Sequence, residues 1–341
     1  MYKPNFKYTN EIVNNLIKIE SAREIINNSK IIPSYDLLLK NKAIIESSYN
    51  STSIEGNPLD FKEVESLFNS NDLINSKISK SEQEVINYFN VLKNFDNYQE
   101  EYPNFSKDFI LSIHYELTKG LLKNPGQFRK TQVIIGNLKT GKLNFIPPKE
   151  EKIIPLINNF IDWLNKSSEI SPVLISGISH YELVRIHPFV DGNGRTSRAL
   201  STYILSFKGF DFKKYFTLDE FYNKNRENYY NALRSADKTN DLTEWLEYFT
   251  FGFLQSINKV KEEVINLSKF SNKYNDILEL NEKEIKILHF IEENQYVKNK
   301  DIQELLNVSS QSAYTYLNNL VKKNLISSSG EGRSTHYIIN K

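Results

Sequence analysis

Most of the chemistry this chain can offer is concentrated in one run: His187-Pro188-Phe189-Val190-Asp191-Gly192-Asn193-Gly194-Arg195-Thr196-Ser197-Arg198. Histidine titrates near neutrality, so His187 is a candidate general base. Gly192 and Gly194 reach positive φ at little cost and let backbone N–H groups approach a phosphate closely. A helix resuming at Arg195 would turn its free N–H groups and its dipole toward an anion. Arg195 and Arg198 stand three apart, on one face of that first turn, and guanidinium forks match phosphate oxygens. Asp191 beside a polyphosphate is a natural Mg²⁺ ligand, because Mg²⁺ takes one or two carboxylates together with phosphate oxygens. A base next to an anion cradle points to chemistry on a phosphorylated small molecule, a nucleotide.

Helices must position this loop. Apolar residues recur at helical spacing over Tyr35–Tyr49, Phe109–Leu122, Ile154–Leu164 and Val173–Ile186, and again over Arg195–Phe207. Asn124-Pro125-Gly126 is a stop signal. One segment breaks the pattern: Thr131–Ile135 and Leu143–Ile146 are β-rich and flank a turn-forming stretch, which predicts a hairpin over 131–146, closed by Pro147-Pro148. A lone hairpin on a helical body reads as a flap. Residues 221–268 are helical and aromatic-rich, with Tyr229, Tyr230 and Trp245, and 268–275 is a polar linker. Beyond it, helices over Glu282–Glu293, Asn299–Leu306 and Gln311–Lys323, the last preceded by Val308-Ser309-Ser310 as turn and N-cap, come before two short strands around Ser329-Gly330-Glu331-Gly332. Three helices followed by a two-stranded wing give the winged helix-turn-helix order.

Residues 187–198 resemble the Fic-family signature, His-x-Phe-x-Asp/Glu-Gly-Asn-Gly-Arg-x-x-Arg, with every fixed position filled. Gly126-Gln127-Phe128-Arg129, Val133-Ile134-Ile135-Gly136 and Phe145-Ile146-Pro147-Pro148 resemble the family's flap; the likeness covers roughly residues 105–250. The resemblance implies a mainly α fold: a Fic-type helical core with a β-hairpin flap, plus the winged unit. The expected domains are an N-terminal helical region over 1–100, the core over 101–270 and the winged helix over 278–341. It implies transfer of AMP from ATP to a Ser, Thr or Tyr hydroxyl of a target protein. His187 then deprotonates the hydroxyl, Asp191 holds Mg²⁺, and Gly192, Asn193 and Gly194 cradle the α-phosphate. Arg195 holds the β-phosphate and Arg198 the γ-phosphate. Val133, Ile134, Ile135 and Gly136 align the target strand-wise, and Tyr229 and Tyr230 wall the adenine. Where relatives often carry Asn, this chain has Asp237. Ser51-Thr52-Ser53-Ile54-Glu55-Gly56-Asn57 resembles the family's inhibitory helix, which implies that Glu55 competes with the γ-phosphate for Arg198.

Composition narrows the alternatives. A net charge of +1 gives no global field for nucleic acid or membrane. With no Cys, disulfides and thiolate catalysis are excluded and a cytoplasmic setting is expected. Met1-Tyr2-Lys3-Pro4-Asn5 lacks an apolar run, so no signal peptide is expected. Residues 281–341 carry eight Lys/Arg and seven Asp/Glu, a weak balance for a self-sufficient DNA reader. The winged unit is open to DNA or to protein docking, and dimerisation is implied by resemblance alone. The leading expectation is a self-inhibited protein adenylyltransferase, self-modification included. Its rivals are an enzyme that removes AMP from modified proteins and an ATP-sensing DNA-binding regulator.

Overall fold

Among the described residues of the structure, a computed structural model, the apolar stripes condense into fifteen α-helices and two small antiparallel strand pairs. The structure describes residues 2–31, 33–70, 78–137, 142–210, 212–273, 280–330, 332 and 335–340. In chain order the first helices are α1 (Asn10–Asn28), α2 (Pro33–Ile54), α3 (Phe61–Asn69), α4 (Lys80–Lys93), α5 (Phe95–Glu101) and α6 (Lys107–Thr118). The strands β1 (Ile135–Asn137) and β2 (Lys142–Phe145) follow, then α7 (Ile153–Lys166), α8 (Pro172–Ile186), α9 (Asn193–Phe207), α10 (Asp219–Lys224), α11 (Arg226–Thr239) and α12 (Thr243–Lys273). The last elements are α13 (Glu282–Asn294), α14 (Asn299–Leu306), α15 (Ser310–Lys322), β3 (Ile326–Ser329) and β4 (His336–Ile339).

The chain forms two compact units, residues 1–27 with 41–262, and residues 28–40 with 263–341. The core of the first unit gathers around α8 and α9, with α6 and α7 packed against them. Residues Val173 to Leu183 of α8 are all buried, as expected of a helix enclosed on every side. Pro172 opens α8 at its first position, where its missing N–H costs nothing. Gly177 lets α12 lie flush on α8: a Cβ there would fall 2.9 Å from a ring carbon of Phe249, and Trp245 Nε1 donates to the Gly177 carbonyl at 2.8 Å. Trp245 is fully buried, as is Phe189 in the loop between α8 and α9.

The hairpin is shorter than the sequence suggests. Pairing runs from Ile135 opposite Phe145 to Asn137 opposite Lys142, with a bulge after Ile135. Val133 and Ile134 stay outside the strand. The carbonyls of Thr131 and Pro148 are taken by the Arg129 guanidinium, and Gln132 Nε2 donates to Val133 and Pro147, so side chains replace the outer rungs of the ladder. The turn at 138–141 lies outside the described residues.

In the second unit, Asn281 and Glu284 form a capping box on α13, and Ser309 caps α15 by accepting from Ser312 N. Ile285, Leu288, Ile302, Ala313, Leu317 and Leu320 are buried among its helices. β3 pairs with β4, and Val297 bridges to Tyr337 on the other side of β4. Gln311, Tyr314 and Thr315 leave one face of α15 exposed. Among the described residues no helix is long and apolar enough to cross a membrane.

Candidate active site

His187 ends α8 in the left-handed region, φ 49 and ψ 59, which turns the chain sharply into the loop. Non-glycine residues seldom adopt this conformation, so neighbours must hold it. Arg129 does so: its Nε donates to the His187 carbonyl at 2.8 Å, and its backbone N–H donates to Pro188 O at 2.9 Å. Nδ1 of His187 lies 3.3 Å from Val184 O. A carbonyl only accepts, so Nδ1 carries the proton and Nε2 keeps its lone pair. Burial, reinforced by the Arg129 charge, pushes the imidazole down to about 4, leaving it neutral with its lone pair free at physiological pH.

The loop is pinned from below. His114 stacks on Phe189 with ring centroids 3.6 Å apart; its Nε2 donates to Asp191 O at 3.0 Å and its Nδ1 accepts from Gly126 N at 2.9 Å. Burial lowers His114 to about 4, in keeping with the neutral tautomer these two bonds need. Asn193 closes a ring with Phe189 through both its amide groups, each at 2.9 Å. Gly192 is the N-cap of α9 at φ 80, and a Cβ there would meet Thr118 at 2.9 Å. Glycine is therefore required at this position by conformation and by space.

Both arginines of α9 are buried and paired. Arg195 forms an ion pair with Glu84 of α4 and lies 3.4 Å from Asp191 Oδ1. Arg198, 2% exposed, donates from Nε to Ser51 Oγ at 2.7 Å, and from Nη2 to Ser51 O at 2.9 Å and Glu55 Oε1 at 2.8 Å. Its Nε is 3.4 Å from Asp219 Oδ1. Burial opposes the Arg198 charge, but Glu55 and the groups around it outweigh this and hold the guanidinium well above its ordinary value. Glu55 stands one residue beyond α2, in a turn where Gly56 has φ 94. Its carboxylate lies over Gly194, where a Cβ would approach Oε1 to 2.2 Å. A resident carboxylate thus occupies the anion-favouring end of α9.

These groups line one cavity of 460 Å³ that brings together Glu55, His187, Gly194, Arg198, Tyr229 and Tyr230. Ile135 and Phe145 of the hairpin also reach it; Val133, Ile134 and Gly136 do not line it. Ile134 is 66% exposed, beside the mouth rather than inside. Tyr230 is half-exposed and available for stacking, whereas Tyr229 is buried with its hydroxyl 2.8 Å from His180 Nε2. Asp237 also lines the cavity and accepts from Tyr181 Oη at 2.8 Å. Asp191 has an exposed side chain whose Oδ1 accepts from Gly192 N. No cluster of three metal-ligating side chains exists among the described residues. Asp191 suits Mg²⁺ that takes its remaining ligands from phosphate and water.

Four contributors carry no signal in sequence spacing. Glu84, His114, Arg129 and Asp219 are brought to the loop from other elements by packing alone. Only Arg129 stands in a stretch, Gly126–Arg129, that resemblance singles out, and there its role in holding His187 is not apparent.

This geometry has counterparts. Residues 104–205 match the Fic/DOC family, and residues 280–327 match the winged helix-turn-helix DNA-binding family. The chain therefore carries a Fic/DOC-family domain together with a winged helix-turn-helix unit. It is 34% identical over 167 residues to protein adenylyltransferase fic-1 of Caenorhabditis elegans, covering 48% of this chain and 32% of that protein. It is 30% identical over 176 residues to protein adenylyltransferase Fic of Drosophila willistoni, covering 50% and 34%. The chain thus matches about a third of the length of these curated relatives. Among solved structures, a Fic family protein from Desulfovibrio desulfuricans G20 superposes with a TM-score of 0.69 at 22% identity, over 99% of this chain and 98% of that one. Fic-1 from C. elegans superposes with a TM-score of 0.59 at 25% identity, over 75% and 71%. The mainly helical Fic fold and the winged unit expected from sequence are both borne out.

Proposed function

We propose that this chain is a protein adenylyltransferase restrained by its own Glu55. The observation that carries the reading is the Glu55–Arg198 contact, 2.8 Å long and laid over Gly194 in the same cavity as His187. His187 Nε2 takes the proton of a target hydroxyl. The hydroxyl oxygen bonds to the α-phosphorus of ATP, the bond from that phosphorus to the oxygen bridging to the β-phosphorus breaks, and pyrophosphate leaves. Gly192, Asn193 and Gly194 present the start of α9 to the charge that develops, an electrostatic contribution that needs no rearrangement at the moment of reaction. Arg195 and Arg198 bind the leaving pyrophosphate portion. Mg²⁺ held at Asp191 would neutralise phosphate charge. Strand addition along the hairpin, with Val133, Ile134, Ile135 and Gly136 as its docking edge, brings a Ser, Thr or Tyr of the target to His187.

With Glu55 on Arg198, the γ-phosphate meets a carboxylate where it needs a cation, and the triphosphate binds out of line. The setting is taken as cytoplasmic from the absence of cysteine, and Glu55 is displaced by oligomer rearrangement, by self-modification or by target binding. A second reading, removal of AMP from modified proteins, draws on the same carboxylate: Glu55 shares the cavity with His187 and can orient a water. The regulator reading, with the exposed α15 face touching DNA, is weaker because residues 281–341 are nearly balanced in charge.

Wild type, Glu55→Gly and Glu55→Gly/His187→Ala chains incubated with Mg²⁺ and α-labelled ATP decide the matter. Label on protein with Glu55→Gly, little with wild type and none with the double variant is the expected result. Label that persists without His187 would sink the base assignment, and equal labelling of wild type and Glu55→Gly would sink the restraint.

A further inference from the structure

Each arginine of α9 faces two carboxylates, and the two differ in burial. Arg195 has Glu84, whose side chain is 16% exposed, and Asp191, 60% exposed. Arg198 has Asp219, 3% exposed, and Glu55, 31% exposed. In each pair the more exposed member stands where a metal–nucleotide would arrive, and the more buried member comes from another helix. Asp219 is the first residue of α10 and is held by Ser47 Oγ of α2 and by Thr217 Oγ1 at 3.4 Å, both on Oδ2. Its Oδ1 has no hydrogen-bond partner and stands 3.4 Å from Arg198 Nε. Burial raises the Asp219 carboxyl above its ordinary value while the Arg198 charge and the hydroxyls around it work against this, so the tie to Arg198 is one of charge.

We propose that Asp219 is a positioning residue, the fixed counter-anion that keeps Arg198 in place when Glu55 withdraws from it. This rests on the reading of Arg198 as a phosphate ligand and Glu55 as its competitor. The physical need is direct. Arginine cannot shed its proton, and a buried cation left without an anion is strongly destabilising. Ser51 satisfies two of the guanidinium's hydrogen bonds, but both acceptors are neutral. When Glu55 leaves, Asp219 is the carboxylate that remains against Arg198 until phosphate arrives. Glu84 stands in the same relation to Arg195, where Asp191 is the exchangeable member.

Thermal unfolding of four full-length chains tests this without nucleotide: wild type, Glu55→Gly, Asp219→Asn and the double variant. Either carboxylate alone can partner Arg198, so each single change lowers Tm modestly. The double change lowers it by about 4 °C or more beyond their sum. Asp219→Glu, which keeps the charge, restores most of the excess loss. Strictly additive losses would overturn the proposal. Should the double variant fail to fold, the Arg198→Met background gives the same information by sign. There Asp219 is itself the unpaired buried charge, so Asp219→Asn raises Tm, whereas it lowers Tm in the wild-type chain. A lowering in both backgrounds overturns the proposal. Because no transfer is measured, an absence of AMP transfer leaves this outcome untouched, and additive losses leave the transferase reading standing.

Discussion

At the His187 end of the cavity the fixing contacts end on backbone carbonyls. Arg129 donates to the carbonyls of His187, Thr131 and Pro148, and His114 donates to that of Asp191. At the Arg198 end the ion pairs are with carboxylate side chains, Glu55 and Asp219 for Arg198, Glu84 and Asp191 for Arg195, beside two hydrogen bonds from Arg198 to Ser51. A backbone carbonyl cannot leave without unfolding its segment. A carboxylate on a half-exposed side chain can be exchanged for a phosphate oxygen of like charge. Under the proposed reading, one end keeps a base in a single orientation and the other trades one anion for another.

The widest separation between the two ends should appear in Arg129→Met set beside Glu55→Gly. The first leaves three part-buried carbonyls without this donor, at about 1–3 kcal/mol for each that stays buried, so a loss of about 2 kcal/mol or more is expected in urea unfolding. The second removes one partner of an arginine that keeps Asp219, and is expected to cost within about 1 kcal/mol. Equal losses would erase the distinction.

Acid should sharpen it next. Burial holds His187 and His114 at about 4 in the folded chain, and buried His180 is lowered to about 3; unfolded histidine titrates near about 6.5. Between those values the unfolded chain binds more protons, so stability rises with pH and is lost as pH falls from neutrality toward 4. Tm is expected to drop between pH 7 and pH 5, and Glu55→Gly should drop in parallel with wild type because the effect belongs to the histidines. The same depression keeps the base free, so transfer should show no decline between pH 8 and pH 6 from protonation of His187.

The smallest effect is expected at Gly194. With Glu55 present, an alanine Cβ falls 2.2 Å from its carboxylate and 3.0 Å from Arg198 Nη1. Gly194→Ala should be less favourable in wild type than in Glu55→Gly by about 1 kcal/mol, read as a double-mutant coupling. No coupling would mean that the carboxylate does not rest there in solution.

The comparison also explains what could be read from sequence. The residues from His187 to Arg198 are contiguous, so their chemistry and their helix–loop–helix setting are legible from types and spacing. The three-helix-and-wing order is legible from short-range turn signals such as Val308-Ser309-Ser310. The extent of the hairpin is not, because Arg129 takes carbonyls that strand pairing would otherwise use. Nor are Glu84, His114 and Asp219, which lie far from the loop along the chain. Their part is set by which helix faces which, and a lone acidic residue at a helix start, as at Asp219, is what any surface helix can show. Burial is what distinguishes it.

Glu55 sits just past the last residue of α2, while Ser47, Ser51, Thr52 and Ser53 behind it are buried. Under the proposed reading this has a kinetic consequence. A side chain at a helix end turns on the picosecond-to-nanosecond scale, whereas withdrawing a buried helix takes microseconds or longer. A restraint of this build is relieved by turning one side chain away from Arg198, with no buried helix withdrawn, so whatever displaces Glu55 has only that local contact to break.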